Sequence, residues 1–324
     1  MNPNPHTPAH TRRHALLGAA ALGVVGWSAA ARNAVAADRR PAPDPGPDLD
    51  PDADAVADRG RITVRRSGRY EVLALLDAHG PFPGRRQDEF PAADERDWAR
   101  ARRLDPAAFG PGDTWELDFR CYAIRRPGGR VTLVDTGVGP AGSPASDWAP
   151  VPGHLPEVLR AAGIARTDVE AVVLTHLHED HYGWAVTPDG TPLFPDARYV
   201  IQRAEVAALS DDDSATTYVL APLRRAGLLH QIDGRTRLLR GVTAVPAPGH
   251  TPGHQSVLVD GGREILITGD ALVHAVQLAD PAVPYRREKD QTTARTTREN
   301  LLARASAHRA LLATAHLNHP FVRA

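Results

Sequence analysis

From residue 70 onward the chain alternates short apolar or apolar-alternating runs with turn-rich polar segments. The runs at 70–76, 115–124, 131–134, 171–174, 198–202, 242–245, 255–259 and 265–268 read as β-strands. Helical patterns lie between some of them. In 154–162, Leu155, Val158 and Leu159 fall on one face. Further helices are expected over 204–209, 218–226 and 293–312, the last carrying Leu301, Leu302, Ala305, Leu311 and Leu312. Strands with interspersed helices and no long regular βαβ repeat predict a layered α/β protein. Periodicity alone leaves a sandwich and a doubly wound sheet both open.

The first 60 residues have a different character. Arg12-Arg13 stands before an apolar run that continues to about Ala31, and Ala34-Val35-Ala36 follows. Residues 1–36 therefore read as a twin-arginine-type export signal, which places the mature protein outside the cytoplasm. The alternative, an uncleaved membrane anchor, would need a longer and less Gly-rich apolar span of about 20 residues. Residues 37–60 interleave Pro41, Pro43, Pro45, Pro47 and Pro51 with aspartates and read as an acidic linker. The catalytic domain is expected over 61–324.

Charge and cysteine content narrow the classes. The 38 basic residues balance 39 acidic ones, and no basic stripe marks a nucleic-acid binder. A small-molecule substrate is expected, with no nucleic acid and no stable membrane partner once the signal is cleaved. The one cysteine, Cys121, excludes an intrachain disulfide and a Cys-rich zinc site, and it reads as a small core residue on a strand. The 15 histidines are more telling, because several cluster.

The apolar run 171–174 leads straight into Thr175-His176-Leu177-His178-Glu179-Asp180-His181. Two histidines two apart point the same way from extended backbone, and Asp180 and His181 follow where the chain must turn. Buried imidazoles and carboxylates need partners, and a metal supplies them. Zinc fits this N/O ligand set best; iron and manganese are also compatible. Downstream, His250 sits in the turn-rich Pro248-Gly249-His250-Thr251-Pro252-Gly253-His254. Asp270 ends the apolar run 265–268, and His316 follows another such run.

In order, Leu133-Val134-Asp135-Thr136-Gly137, His176-x-His178-x-Asp180-His181, Gly249-His250-Thr251-x-Gly253-His254, Gly269-Asp270 and His316 resemble the metallo-β-lactamase superfamily. The pattern is most similar to its lactonase and organophosphate-hydrolase branch. The resemblance implies a four-layer αββα sandwich with the site at one edge of the sheets. It also implies two divalent metals, zinc first. His176, His178 and His250 would hold one, Asp180, His181 and His316 the other, and Asp270 would bridge them. The implied chemistry is hydrolysis of an ester, lactone or phosphotriester by a metal-bridging hydroxide, with Asp180 and Asp270 in the catalytic centre. Two alternatives are an exported β-lactamase and a mononuclear-iron oxidoreductase of the persulfide-dioxygenase kind.

Other residues keep two readings. Asp135 either orients a histidine ligand or caps a turn before Gly137. His274 follows Asp270 where lactonases of this type often carry a tyrosine; it either donates to a substrate oxygen as a catalytic residue or packs beside the site. His254 is expected to be structural, and Glu179 to face away from the metals. His308 and His319 compete with His316 as ligands. Trp98, Trp148, Trp184, Phe82 and Tyr285 are candidate wall residues.

Overall fold

Successive side chains of the central strands point to opposite faces, and the two faces are buried against different partners. In the computed structural model, which describes residues 55–57 and 60–324, the first sheet comprises eight strands in sequence order. These are β1 (Ala55–Ala57), β2 (Ile62–Ser67), β3 (Tyr70–Arg85), β4 (Thr114–Arg125), β5 (Val131–Val134), β6 (Val169–Val173), β7 (Arg198–Gln202) and β8 (Leu229–Ile232). β1 to β5 pair antiparallel, and β5 to β8 pair parallel. The second sheet holds β9 (Thr236–Leu239), β10 (Val242–Pro246), β11 (Gln255–Asp260), β12 (Glu264–Ile267), β13 (Leu311–Ala313) and β14 (Phe321–Arg323). Its order is β14-β13-β12-β11-β10-β9, with β12 and β13 parallel.

Three apolar layers follow from this alternation. Val72, Ala74, Tyr122, Ile124, Val134 and Val173 of the first sheet meet Val257, Val259, Ile265, Ile267 and Ala313 of the second, forming the core between the sheets. The alternate positions Leu73, Leu75, Cys121, Leu133 and Val172 face outward and are covered by Leu155, Val158 and Leu159 of the helix Leu155–Ala161. On the far side, Leu258, Leu266 and Leu312 are covered by Leu301 and Ala305 of the long helix Gln291–His308. The result is the expected αββα sandwich. Each fully buried aliphatic side chain contributes about 1.5–3 kcal/mol to it.

The helices are α1 (Arg86–Glu89), α2 (Glu95–Leu104), α3 (Leu155–Ala161), α4 (Glu179–Tyr182), α5 (Arg203–Ala207), α6 (Ala221–Arg225), α7 (Val276–Ala279) and α8 (Gln291–His308). The expected helix over 293–312 is corrected at its end. Arg309 adopts a left-handed conformation, φ +50°, which stops α8, and Leu311 and Leu312 then enter β13 beside β12. Continuous apolar sequence hid that change of element. α2 lay outside the sequence prediction, although Asp94 and Asp97 form a capping box at its start.

All described residues belong to one unit, within 49–324. The export signal at 1–36 and most of the linker at 37–60 lie outside the described residues. One part of that linker is described: β1, at Ala55–Ala57, pairs antiparallel with β2, so sheet structure begins before residue 61. Among the described residues no helix is long and apolar enough to cross a membrane.

Candidate metal centre

Every expected ligand stands just past the end of a strand, at the same rim of the sandwich. β6 is flanked by β5 and β7 and is buried almost throughout. The chain leaving it carries His176 and His178, and α4 presents Asp180 and His181. His250 lies in the loop between β10 and β11, Asp270 just beyond β12, and His316 just beyond β13. The fold brings these seven residues into two groups. His176, His178, His250 and Asp270 form one, and Asp180, His181 and His316 form the other.

The distances within the groups suit a bound cation. His178 Nδ1 lies 2.9 Å from both His176 Nε2 and His250 Nε2. Neutral rings cannot satisfy both contacts, because Nδ1 has a single proton or a single lone pair to offer. Asp270 Oδ2 is 3.3 Å from His250 Nε2, while Oδ1 is 3.3 Å from His181 Nε2 and 3.1 Å from His316 Nε2. Asp180 Oδ2 lies 3.4 Å from His181 Nε2 and 3.5 Å from His316 Nε2. Asp270 Oδ1 and His181 Nε2 are buried without a hydrogen-bond partner, a costly state that a metal would relieve. The donor set of imidazole nitrogens and carboxylate oxygens suits a divalent ion, zinc above all.

Electrostatics separates the groups. Burial pushes His176 and His250 well below the ordinary imidazole range, keeping their lone pairs free for a metal. Burial acts against His181 as well, but Asp180, Asp270 and Asp135 outweigh it and raise its proton affinity well above the usual value. His316 shifts upward for a similar reason, with Asp270 and Asp180 overcoming burial. The negative charge that attracts those protons would equally hold a dication.

Supporting residues fix the ligands. Asp135 accepts from the backbone N–H and hydroxyl of Thr175 at 2.7 and 2.8 Å. Its Oδ2 also lies 2.9 Å from His181 Nδ1. The orienting role expected for Asp135 is thus the one the geometry shows. His316 Nδ1 donates to the Asp118 carbonyl at 2.9 Å. His254 is structural: Nδ1 donates to the Ala247 carbonyl, and Nε2 accepts the Asp270 N–H at 2.9 Å. Gly269 makes that approach possible, since a Cβ there would sit 2.6 Å from His254 Nε2, and its φ is +53°. Glu205, missed in the sequence, joins both ligand loops. It accepts from Leu177 N–H at 3.0 Å, the Thr251 hydroxyl at 2.7 Å and Gly253 N–H at 2.9 Å.

A cavity of about 740 Å³ opens over the two groups, with His178, Asp180, His250, Asp270 and His316 in its lining. Phe82, Trp115, Trp148 and Tyr285 supply aromatic walls. Tyr285 stacks on His250, the rings 6.1 Å apart and within 4° of parallel. Glu179 accepts from the Trp148 indole N–H at 2.7 Å; it lines the cavity but belongs to neither ligand group. Two expected wall residues lie elsewhere: Trp184 donates to Asp77, and Trp98 packs on Phe90 and Phe109.

His274 requires a correction. It is buried among Phe90, Trp98, Phe109 and Trp115, with Nδ1 accepting the Val276 N–H at 2.9 Å. It does not line the cavity, so the geometry gives it the packing role and not that of a donor to substrate. His308 lies by Glu264, and the His319 carbonyl accepts from Thr314, so neither joins the ligand groups.

Comparison with known proteins fits this geometry. Residues 120–308, more than half the chain, match the Metallo-beta-lactamase superfamily. The chain belongs to this superfamily. The N-acyl homoserine lactonase AttM of Rhizobium radiobacter is 29% identical over 230 residues, spanning 64% of this chain and 84% of the relative. AttM of Azorhizobium caulinodans is 31% identical over 198 residues, 54% of this chain and 73% of the relative. Among solved structures, the dizinc quorum-quenching lactonase AidC superposes with a TM-score of 0.66 at 20% identity, covering 81% of this chain and 94% of that one. The hydrolase AbOPH gives 0.67 at 21% identity, covering 83% and 93%. With its His/Asp groups, this metallo-beta-lactamase-fold chain is a metal-dependent hydrolase.

Proposed function

We propose that the chain is a two-metal hydrolase, most naturally of zinc, that opens lactones or cleaves related esters and phosphotriesters of small apolar acyl compounds. One observation carries the reading: the two oxygens of Asp270 face different ligand groups, Oδ2 toward His250 and Oδ1 toward His181 and His316. His176, His178 and His250 would hold one ion, Asp180, His181 and His316 the second, and Asp270 both. Bound there, a divalent ion supplies a water with a pKa near about 7 and a Lewis acid for the carbonyl or phosphoryl oxygen. The aromatic walls take the apolar part of the substrate and exclude bulk water. Burial, reinforced by Glu89, holds the Tyr285 phenol protonated, so it remains a hydrogen-bond donor in the cavity lining. Lactones head the substrate classes because the matched relatives are named N-acyl homoserine lactonases.

The test combines elemental analysis with a panel of lactones, esters, phosphotriesters and β-lactams. Two zinc ions per chain and lactone turnover are expected. A single tightly bound ion at saturation would end the two-metal reading, and turnover confined to β-lactams would end the lactone assignment. Export through the 1–36 signal, ahead of a catalytic domain whose first sheet already includes β1 at Ala55–Ala57, belongs to the same proposal. It rests on Arg12-Arg13 and Ala34-Val35-Ala36. Mass spectrometry of secreted protein should then show an N-terminus near Ala37; an intact N-terminus in the cytoplasm alone would refute it.

A further inference from the structure

Of the 38 lysine and arginine residues, position 289 alone is lysine. That lysine lines the cavity over the ligand groups. The backbone on either side is fixed to the His250 loop. Lys289 N–H donates to the His250 carbonyl at 3.1 Å, and Asp290 N–H to the Gly249 carbonyl at 2.9 Å. Its neighbours in the cavity rim, Arg286 and Arg287, are both held by the buried carboxylate of Glu89, at 2.8 and 3.0 Å. Arg287 also lies over the Phe82 ring, 4.9 Å from its centroid. By contrast, among the described residues no carboxylate lies in ion-pair reach of the Lys289 ammonium. The lining segment 286–289 thus presents three cations, of which Arg286 and Arg287 share Glu89, while the segment's own carboxylate, Glu288, is paired with the buried Arg298. The other lining carboxylates outside the ligand groups, Glu179 and Asp213, come from other segments; Glu179 accepts from the Trp148 indole and Asp213 from the Ala215 N–H.

A chain that otherwise uses arginine carries here a compact, flexible point charge in place of a rigid guanidinium fork. We propose that Lys289 is a specificity-determining residue and that the preferred substrates carry a carboxylate away from the bond that is cleaved. The proposal rests on the hydrolase reading for where the substrate sits. Phe82, Trp115 and Trp148 would take the chain between the two ends, and Lys289, backed by Arg286 and Arg287, would take the charge. Such a charge-assisted contact is worth about tenfold or more in affinity.

The test compares the para-nitrophenyl ester of hexanoate with the mono-para-nitrophenyl ester of hexanedioate, which differ in a terminal carboxylate. The ratio of kcat/KM is read within each protein, so any general loss of activity cancels. Wild type should prefer the charged ester by about tenfold or more. Lys289→Met keeps the stem and should bring the ratio near one, while Lys289→Arg should retain part of the preference. Titration of tryptophan fluorescence with hexanoate and hexanedioate gives the same comparison without turnover. A wild-type ratio near or below one, or a Lys289→Met ratio equal to wild type, overturns the proposal while leaving hydrolysis standing. Tighter binding of the dicarboxylate, lost in Lys289→Met, with neither ester turned over supports this recognition and counts against the hydrolase reading instead.

Discussion

Asp135 meets His181 Nδ1 at 2.9 Å from a backbone in the left-handed region, φ +59°. A non-glycine residue there stores about 1–3 kcal/mol of strain, which persists only where surrounding contacts impose it. Here those contacts are the Thr175 N–H and hydroxyl, both donating to the same carboxylate. Asp135→Asn keeps the shape but can turn an amide N–H toward the histidine. Metal affinity is expected to fall about 10–100-fold, measured by competition with a chromogenic chelator. Unchanged affinity would make Asp135 a turn residue only.

Asp270→Ala removes the one carboxylate that faces both ligand groups. One metal is expected to be lost, and turnover to fall by about two orders of magnitude or more. Elemental analysis with steady-state kinetics checks this. Two metals and near-normal hydrolysis would mean that some other carboxylate joins the groups.

Glu205→Ala leaves three donors without their acceptor: Leu177 N–H, the Thr251 hydroxyl and Gly253 N–H. Each unsatisfied group costs about 1–3 kcal/mol. Both ligand loops loosen together, so metal should leave faster from the variant, with a lower urea midpoint. Stopped-flow transfer of metal to a chelator reads the first effect. A rate equal to wild type would confine Glu205 to general stability.

His274 gives a pH-dependent prediction. Burial, and to a smaller extent Arg86, pushes its pKa down to about 3, against about 6.5 in an unfolded chain. The unfolded chain binds a proton that the fold refuses. This residue therefore favours the fold fully above the unfolded value, and its contribution is lost as pH falls through 6.5 toward 3. His274→Phe removes that dependence. At neutral pH the variant loses the acceptor for Val276 N–H, costing about 1–3 kcal/mol. Its stability relative to wild type should then improve with acidification, by at most about 1.4 kcal/mol per pH unit. Urea midpoints at several pH values test this; parallel curves would show that His274 does not titrate in this way.

Several candidate ligands were legible in the sequence as polar residues placed shortly after an apolar run, and the division of the seven into two groups came from the family resemblance. His176 follows Val173-Leu174, and Asp270 follows Ile265-Leu266-Ile267. Backbone pairing then carries those strand ends to one rim. Tyr285 was legible only as a candidate wall residue, and Lys289 gave no signal. Their loop is shaped by Arg298, which lies buried on α8 and bonds Glu288, Pro281 and Val283. Nothing periodic links an arginine inside a helix to a loop ten residues earlier. The edge strands β8 and β9 were missed because Leu229–Ile232 and Thr236–Leu239 have half-exposed, mixed faces. His274 misled for a related reason: its distance from Asp270 in sequence is short, but the chain turns it into the aromatic cluster.

The ligands of both groups come from both sheets: His176, His178, Asp180 and His181 follow the first, and His250, Asp270 and His316 the second. An ion in either group would act as a rivet between two layers that otherwise meet through side-chain packing. The free energy of unfolding then contains the logarithm of free metal concentration, because the unfolded chain scatters the ligands. A thermal midpoint for this protein is accordingly a property of the chain and its metal buffer together. It should climb with each decade of free zinc once the groups begin to fill, and go on climbing past saturation until the unfolded chain binds zinc as well.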